Sequence, residues 1–344
     1  MADLYHDGFE SYDPADETNT LKRIWGHAND PAISTAKYKT GSQCLNPTTG
    51  NPARWYHTSD ITNNKLFVNF AFLFTDGPEL GSIVEFMSIA GAECSLKLLP
   101  NGRVALYRGS TLIISGSEKL YENTWYYLEV KVTLSDSTSA GDCIVKINEV
   151  TDITIGTTED TWDTGGALCG VSLCGEGPTQ NSFFDDVSLL DDTGSNNNTF
   201  NGECAVESRR PDGNGTTSQW DGSDGNQVDN YLMIDDQYVG DTAEYIEAQA
   251  AAEVDLFTYE NLALDVLGVK AVKCVSLVEK TAAGPRTIRA KCRSNGTNYD
   301  GDTETMPEGG YRYSHYIWET DPDTSSLWLE AAVNAAEFGV EVVA

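Results

Sequence analysis

Basic residues are scarce in this sequence. Lys and Arg number 22 against 53 Asp and Glu over 344 residues, a formal charge of −31. Proteins are drawn onto phosphate backbones by clustered Lys and Arg that release counterions, so nucleic acid and anionic membrane are excluded as partners on charge. No run approaches about eighteen consecutive apolar residues, so no helix is expected to span a bilayer. The opening MADLYHDGFE is acidic and has no apolar core, so no secretory leader is expected and synthesis is placed in the cytoplasm. Histidine is equally rare (His6, His27, His57 and His315), and none of the eight cysteines forms a C-x-x-C pair, so a zinc site is not expected. Cys143 in CIVKI and Cys274 in VKCVSLV read instead as small buried hydrophobes. The acidic surplus itself reads as a solvated surface that keeps the protein soluble before assembly.

What is present is period-two alternation. In LFVNFAFLF (66–74), Val68, Phe70, Phe72 and Phe74 point one way and Asn69 and Ala71 the other. In WYYLEVKVTL (125–134), Tyr126, Leu128, Val130, Val132 and Leu134 share a face, opposite Glu129, Lys131 and Thr133. Alternation of this length specifies half-buried strands. IVEFM, RVALY, TLIIS, CIVKI and FFDDVSLL follow the same rule, and Asn101-Gly102 reads as a hairpin turn. Many short strands without a helix-length apolar pattern predict an all-β chain, with a sandwich or jelly roll in the first half and a β-sandwich-like module over 203–344.

Between them DDTGSNNNTFNG (191–202) has no apolar residue before Phe200, so 193–202 is expected to be a polar linker. The second half opens with the Gly-rich stretch 209–226 and resumes strand-like runs at YLMID, VKAVKCVSLVEK and RTIRAKCRS. It closes on YRYSHYIWET, a short helix-compatible LWLEAAVNAAE and a final FGVEVV. The run 243–257 has helix-former composition without a clean helical stripe, and its β surroundings favour strand.

The run LLPNGRVALYRGSTLIISGSEKLYENTWYYLEVKVTL followed by GDCIVKINEV, with FFDDVSLLDD as closing strand, resembles a concanavalin A-like or laminin G-like domain; the resemblance covers about residues 1–192 and implies a jelly-roll sandwich there. DGFESYDPADETNTLKRIW, the stretch from FFDDVSLLDD through GSDGN, and WETDPDTSSLWLEAAVNAAEFGVEV resemble a family of tailed-bacteriophage structural proteins. That second resemblance spans nearly the whole chain. It implies a virion component of tail, neck or collar, or capsid surface, with other virion proteins and further copies of the chain as partners, and it carries no catalytic residues.

The E-x-D-x-x-E arrangement of lectin-fold glucanases is absent. Glu85 has no carboxylate two or five residues on, and Asp185 and Asp186, being adjacent, are expected on opposite sides of a strand. No G-x-S-x-G elbow, P-loop or strand-borne G-x-G-x-x-G occurs. The chain is therefore expected not to be an enzyme. Oxygen ligands for a cation of the calcium type are offered by Asp221, Asp224 and Asn226 in DGSDGNQVDN and by Asp300, Asp302 and Glu304 in NYDGDTE. Neither stretch matches an EF-hand loop, and Asp-Gly clusters are commonly plain turns, so no cofactor is expected. Among the tryptophans, Trp220 and Trp162 are the candidates for stacking on sugars. A structural virion role leads, with a host-glycan-binding fibre protein next and a polysaccharide depolymerase after it.

Overall fold

In the computed structural model the described residues are all but 1, 18–19, 26–31, 48–50, 137–139, 174–180, 239–242, 264–265, 282, 285 and 307–308. They divide into two compact units, Met1–Val206 and Glu207–Ala344. The chain is all-β, as the alternation predicts.

The strands of the first unit are β1 (Asp3–Asp7), β2 (Ala32–Ser34), β3 (Cys44–Asn46), β4 (Ala53–Tyr56), β5 (Lys65–Phe74), β6 (Gly81–Ser88) and β7 (Gly91–Leu98). They continue as β8 (Arg103–Arg108), β9 (Thr111–Lys119), β10 (Tyr126–Thr133), β11 (Gly141–Ile147), β12 (Val150–Glu159), β13 (Leu168–Leu173) and β14 (Ser182–Leu190). One sheet has eight strands in the order β12-β11-β10-β5-β14-β3-β2, with β1 also pairing β14. The other has six, β4-β13-β6-β7-β8-β9. All pairings are antiparallel, and the inward faces form one apolar core.

The register makes the alternation concrete. Leu128 lies opposite Phe70 and Val130 opposite Val68, both pairs fully buried. Phe70 packs at 5.4 Å between ring centroids on Phe184 of the closing strand. Burying one such side chain contributes about 1.5–3 kcal/mol, so the face as a whole dominates the stability of the unit. The Asn101-Gly102 turn joins β7 to β8 as expected, with Gly102 at φ 81° donating to Leu99 O. The segment that opens the chain is bound by Asp7, whose carboxylate accepts from the Tyr12 hydroxyl, the Trp25 indole N–H and the Phe9 amide.

The stretch expected to be a linker is part of the first unit. Phe200 sets its ring edge-on to Phe67 at 5.3 Å, Lys146 lies 4.2 Å over the Phe200 ring, and the Gly202 amide donates to Glu129. One aromatic residue and a few backbone donors anchor a strip that composition alone marks as solvent-loving. The division falls after Val206, not across 193–202.

In the second unit the strands are β15 (Pro211–Ser218), β16 (Asp221–Gly222), β17 (Ile246–Glu247), β18 (Val254–Tyr259), β19 (Val272–Val278), β20 (Arg286–Ser294), β21 (Thr297–Met306), β22 (Arg312–Trp318) and β23 (Glu337–Val342), with one short helix, Glu330–Ala335. A five-stranded sheet, β15-β18-β23-β20-β21, is joined by the pairs β16-β17 and β19-β22. Cys274, Cys292, Trp318, Trp328 and Phe338 form one of its core clusters. The run 243–257 contributes strand and no helix, whereas YLMID, read as strand-like, contains a single 3-10 turn at Asn230–Met233.

Candidate functional site

A sandwich leaves two solvent-side faces, and here they differ. That of the eight-stranded sheet is overlaid by the chain itself through Phe200, Gly202 and Val206, and its polar residues Asn69, Glu129 and Asp186 are buried. The outward face of the six-stranded sheet carries a cross-strand row set by register: Arg54 opposite Ser172, Ser172 opposite Glu85, Glu85 opposite Ser95, Ser95 opposite Tyr107; Ser172, Glu85 and Ser95 are buried here too, and Arg54 and Tyr107 are half-buried. Directly opposed residues share a face and neighbouring strands lie about 4.8 Å apart, so the row spans about 19 Å. Beside it runs a second row, Tyr56, Gly170 and Met87. A Cβ on Gly170 would meet the Trp55 carbonyl oxygen at 2.3 Å, so a side chain there would collide with the backbone of β4.

At the β4 side these rows open into a depression of about 400 Å³ lined by Arg54, Tyr56, Glu85 and Met87, with the turn Ser88–Ala92 as its wall. Tyr56 is 47% exposed and Ile89 at the turn tip 92%, while Glu85 is buried in the floor. Farther along the same face the Lys97 ammonium lies 4.9 Å over the Tyr107 ring.

The wall is held by Glu93, which is fully buried. One carboxylate oxygen accepts from the Ser88 hydroxyl (2.6 Å), the Thr164 hydroxyl (2.6 Å) and the Gly166 amide (3.1 Å). The other accepts from the amides of Asp163 (2.9 Å), Thr164 (2.6 Å) and Gly165 (3.3 Å). Burial opposes ionisation, but these donors outweigh it and hold the carboxyl down at about 2. Nothing in the local sequence marks Glu93, since its partners lie some 70 residues on.

The sugar-stacking candidates do not gather here. Trp220 is buried with Ile288, Met306 and Val340 and donates its indole N–H to Glu253 O, so it is a core residue and not an exposed one. A Gly-rich neighbourhood conceals that, because the partners come from distant strands. Trp162 is half-buried in the connection from β12 to β13 and does not line the depression.

The oxygen-ligand candidates are occupied by protein. Asp224 accepts from the Asn226 amide and side chain, and Asp221 from Gln227, which closes the turn on itself. Asp300, Asp302 and Glu304 lie on the regular strand β21, where Asp300 pairs with Arg289 and Lys291. Among the described residues no group of three His, Cys, Asp or Glu is arranged to hold a metal ion.

Asp185 and Asp186 do not point to opposite sides as strand alternation requires. The β14–β5 register slips between Asp185 and Ser188, and Asp186 sits at φ 51°. Such a bulge re-aims side chains. Both are buried: Asp185 accepts from the amides of Lys39 and Thr40, and Asp186 from the Thr40 hydroxyl and the Val206 amide. Burial raises both carboxyls above the usual range. Glu10 belongs to the same cluster and is pushed up to about 9 by burial and by the charge of Asp185.

No protein-family model and no curated protein matches the chain. Solved structures do resemble it. An endo-β-1,4-glucuronan lyase from Trichoderma reesei is 11% identical with a TM-score of 0.37, over 48% of this chain and 90% of that one. The alginate lyase Aly36B is 14% identical with a TM-score of 0.34, over 49% and 95%. A Trypanosoma rangeli sialidase is 12% identical with a TM-score of 0.32, over 46% of this chain and only 26% of that one. These neighbours are glycan-processing enzymes, and against them the expectation that the chain is not an enzyme is corrected: a missing glucanase signature does not exclude catalysis. At TM-scores below 0.5 the likeness assigns no activity to this chain.

Two outcomes follow. Glu93→Gln turns an amide N–H₂ onto a ring of donors and should cost the first unit about 2–5 kcal/mol in urea denaturation. A loss under about 0.5 kcal/mol would deny the knot its role. The Glu10 cluster sets a pH slope of its own. Its folded pKa values lie above the unfolded ones, so the folded state holds more protons and stability falls as pH rises. The melting temperature of the first unit should drop between about pH 5 and about pH 9, and Glu10→Gln should flatten that drop.

Proposed function

We propose that the first unit binds a polysaccharide of the host cell surface in the depression between Tyr56, Glu85 and the Ser88–Ala92 turn, and that it does so as part of a bacteriophage particle. The observation that carries the binding is the convergence on one sheet face of an exposed tyrosine ring, a half-buried guanidinium and a buried carboxylate around about 400 Å³. A sugar presents an apolar C–H face and a rim of hydroxyls. Tyr56 supplies a flat apolar partner for the first, and Arg54 and Glu85 supply donors and an acceptor for the second. The opposite sheet offers no such face, because residues 200–206 lie against it. The particle is supported by the resemblance of the opening segment and of the closing WETDPDTSSLWLEAAVNAAEFGVEV to phage structural proteins.

Tyr56→Ala should weaken retention on immobilised host polysaccharide by about ten-fold, the scale of one lost aromatic contact. Its melting temperature should hold, since the ring is already 47% exposed. Undiminished retention would remove the depression as the site. Tagged chain produced during infection should sediment with purified particles, and its recovery only in the soluble lysate would overturn the virion assignment.

A further inference from the structure

The cations of the first unit are not spread evenly. Lys39 pairs with Glu203 at 3.0 Å, Lys65 with Asp192 and Lys131 with Asp142 at 2.7 Å each, and Arg108 with Asp160. No ion pair among the described residues is formed by Arg54, Lys97, Arg103, Lys119, Lys37 or Lys146, and the first four of these lie on the outward face of the six-stranded sheet. Arg54 is opposite Ser172 in the row of Glu85, Lys97 is opposite Ala105, and Arg103 is opposite Lys119. Two like charges placed directly across a pair of strands repel, an arrangement that a sheet tolerates at a cost. In a chain of net charge −31 carboxylates are plentiful, yet neither of these two forms an ion pair among the described residues. Aromatic rings accompany the charges: Lys97 stands 4.9 Å over Tyr107, and Lys119 stands 5.0 Å over Tyr121, which is 59% exposed.

We infer that the ligand of this face is an acidic polysaccharide, a chain of uronate sugars whose carboxylates pair with Arg54 at one side and with Lys97, Arg103 and Lys119 at the other. This rests on the carbohydrate reading above and gives it a substrate class. Strand β4 and strand β7 are three strand spacings apart, about 14 Å, so a polymer lying across the strands meets cations at both sides, with Ser172, Glu85 and Ser95 between them and the Tyr107 and Tyr121 rings beyond Lys97. Cations that hold no ion pair among the described residues have none to break before they bind a carboxylate, and each such pairing is charge-assisted. The acidic remainder of the surface repels a polyanion everywhere else, which confines it to this face.

The test uses the full chain in affinity electrophoresis at low and at moderate salt, through gels containing polygalacturonate, neutral dextran or no polymer, with a single-stranded oligodeoxythymidine tried separately. Polygalacturonate should retard the protein, more strongly at low salt, and dextran should not. Lys97→Gln with Arg103→Gln should weaken the retardation by about ten-fold or more. Lys37→Gln, outside the six-stranded sheet, should leave it unchanged, and unaltered melting curves confirm that each variant folds. Equal retardation by dextran, or a charge variant that binds as well as the parent, would overturn the uronate assignment while leaving carbohydrate binding at Tyr56 in place. Tighter binding of the oligodeoxythymidine would reassign the face to nucleic acid. No retardation by either polysaccharide overturns the uronate assignment, and continued retention on host polysaccharide then separates that failure from failure of the site.

Discussion

A β-sandwich is stabilised by burying one face of each of two sheets against the other, and it leaves two further faces whose treatment the core does not dictate. In the first unit Phe70, Phe72, Val130 and Phe184 fix the buried side, and period-two geometry then forces Glu85, Ser95, Ser172 and Arg54 outward on the six-stranded sheet. The eight-stranded sheet covers its remaining face with the chain's own residues 200–206, so Asn69 and Glu129 are buried behind it. The six-stranded sheet also buries Glu85, Ser95 and Ser172, and is exposed around the depression at Tyr56 and Ile89. The place of the depression thus follows from the packing of the core together with a single strip of chain.

Carboxylates are used in contrasting ways. Glu93 is ionised by six donors and holds a turn in place, which shapes the wall of the depression without meeting a ligand. Glu10, Asp185 and Asp186 are gathered by a bulge and pushed toward their neutral forms. The first arrangement contributes stability above the ordinary glutamate range and loses it as pH falls toward about 2, and the second loses stability as pH rises. Surface acids beyond these sites serve solubility and, on the uronate reading, repel the ligand from the wrong faces.

Much of the fold was legible from alternation, because strands β5, β10 and β14 each bury one side completely. The second unit shows the limit. Asn295-Gly296 closes a two-residue hairpin between β20 and β21 with both residues at positive φ, a strong turn signal, and it makes NYDGDTE a strand and not a cation loop. Trp220 is a candidate for stacking on sugars by its Gly-rich neighbours, although its burial is set by Ile288, Met306 and Val340. The candidate site was the least legible. Arg54, Glu85, Lys97, Tyr107 and Ser172 come from five strands, and no local spacing relates them; only the register brings them into rows. Asp185 and Asp186 were misplaced for the opposite reason, since strict alternation fails at a bulge that adjacent acids do not announce.

The most direct measurement is a solution NMR titration of the full chain with oligogalacturonate, following the backbone amide signals of Arg54, Met87, Lys97 and Tyr107. The account requires shifts that saturate together on these four strands and leave Glu129, Lys146 and the second unit unmoved. Saturating shifts on the eight-stranded sheet or in the second unit, with the six-stranded face silent, would contradict it.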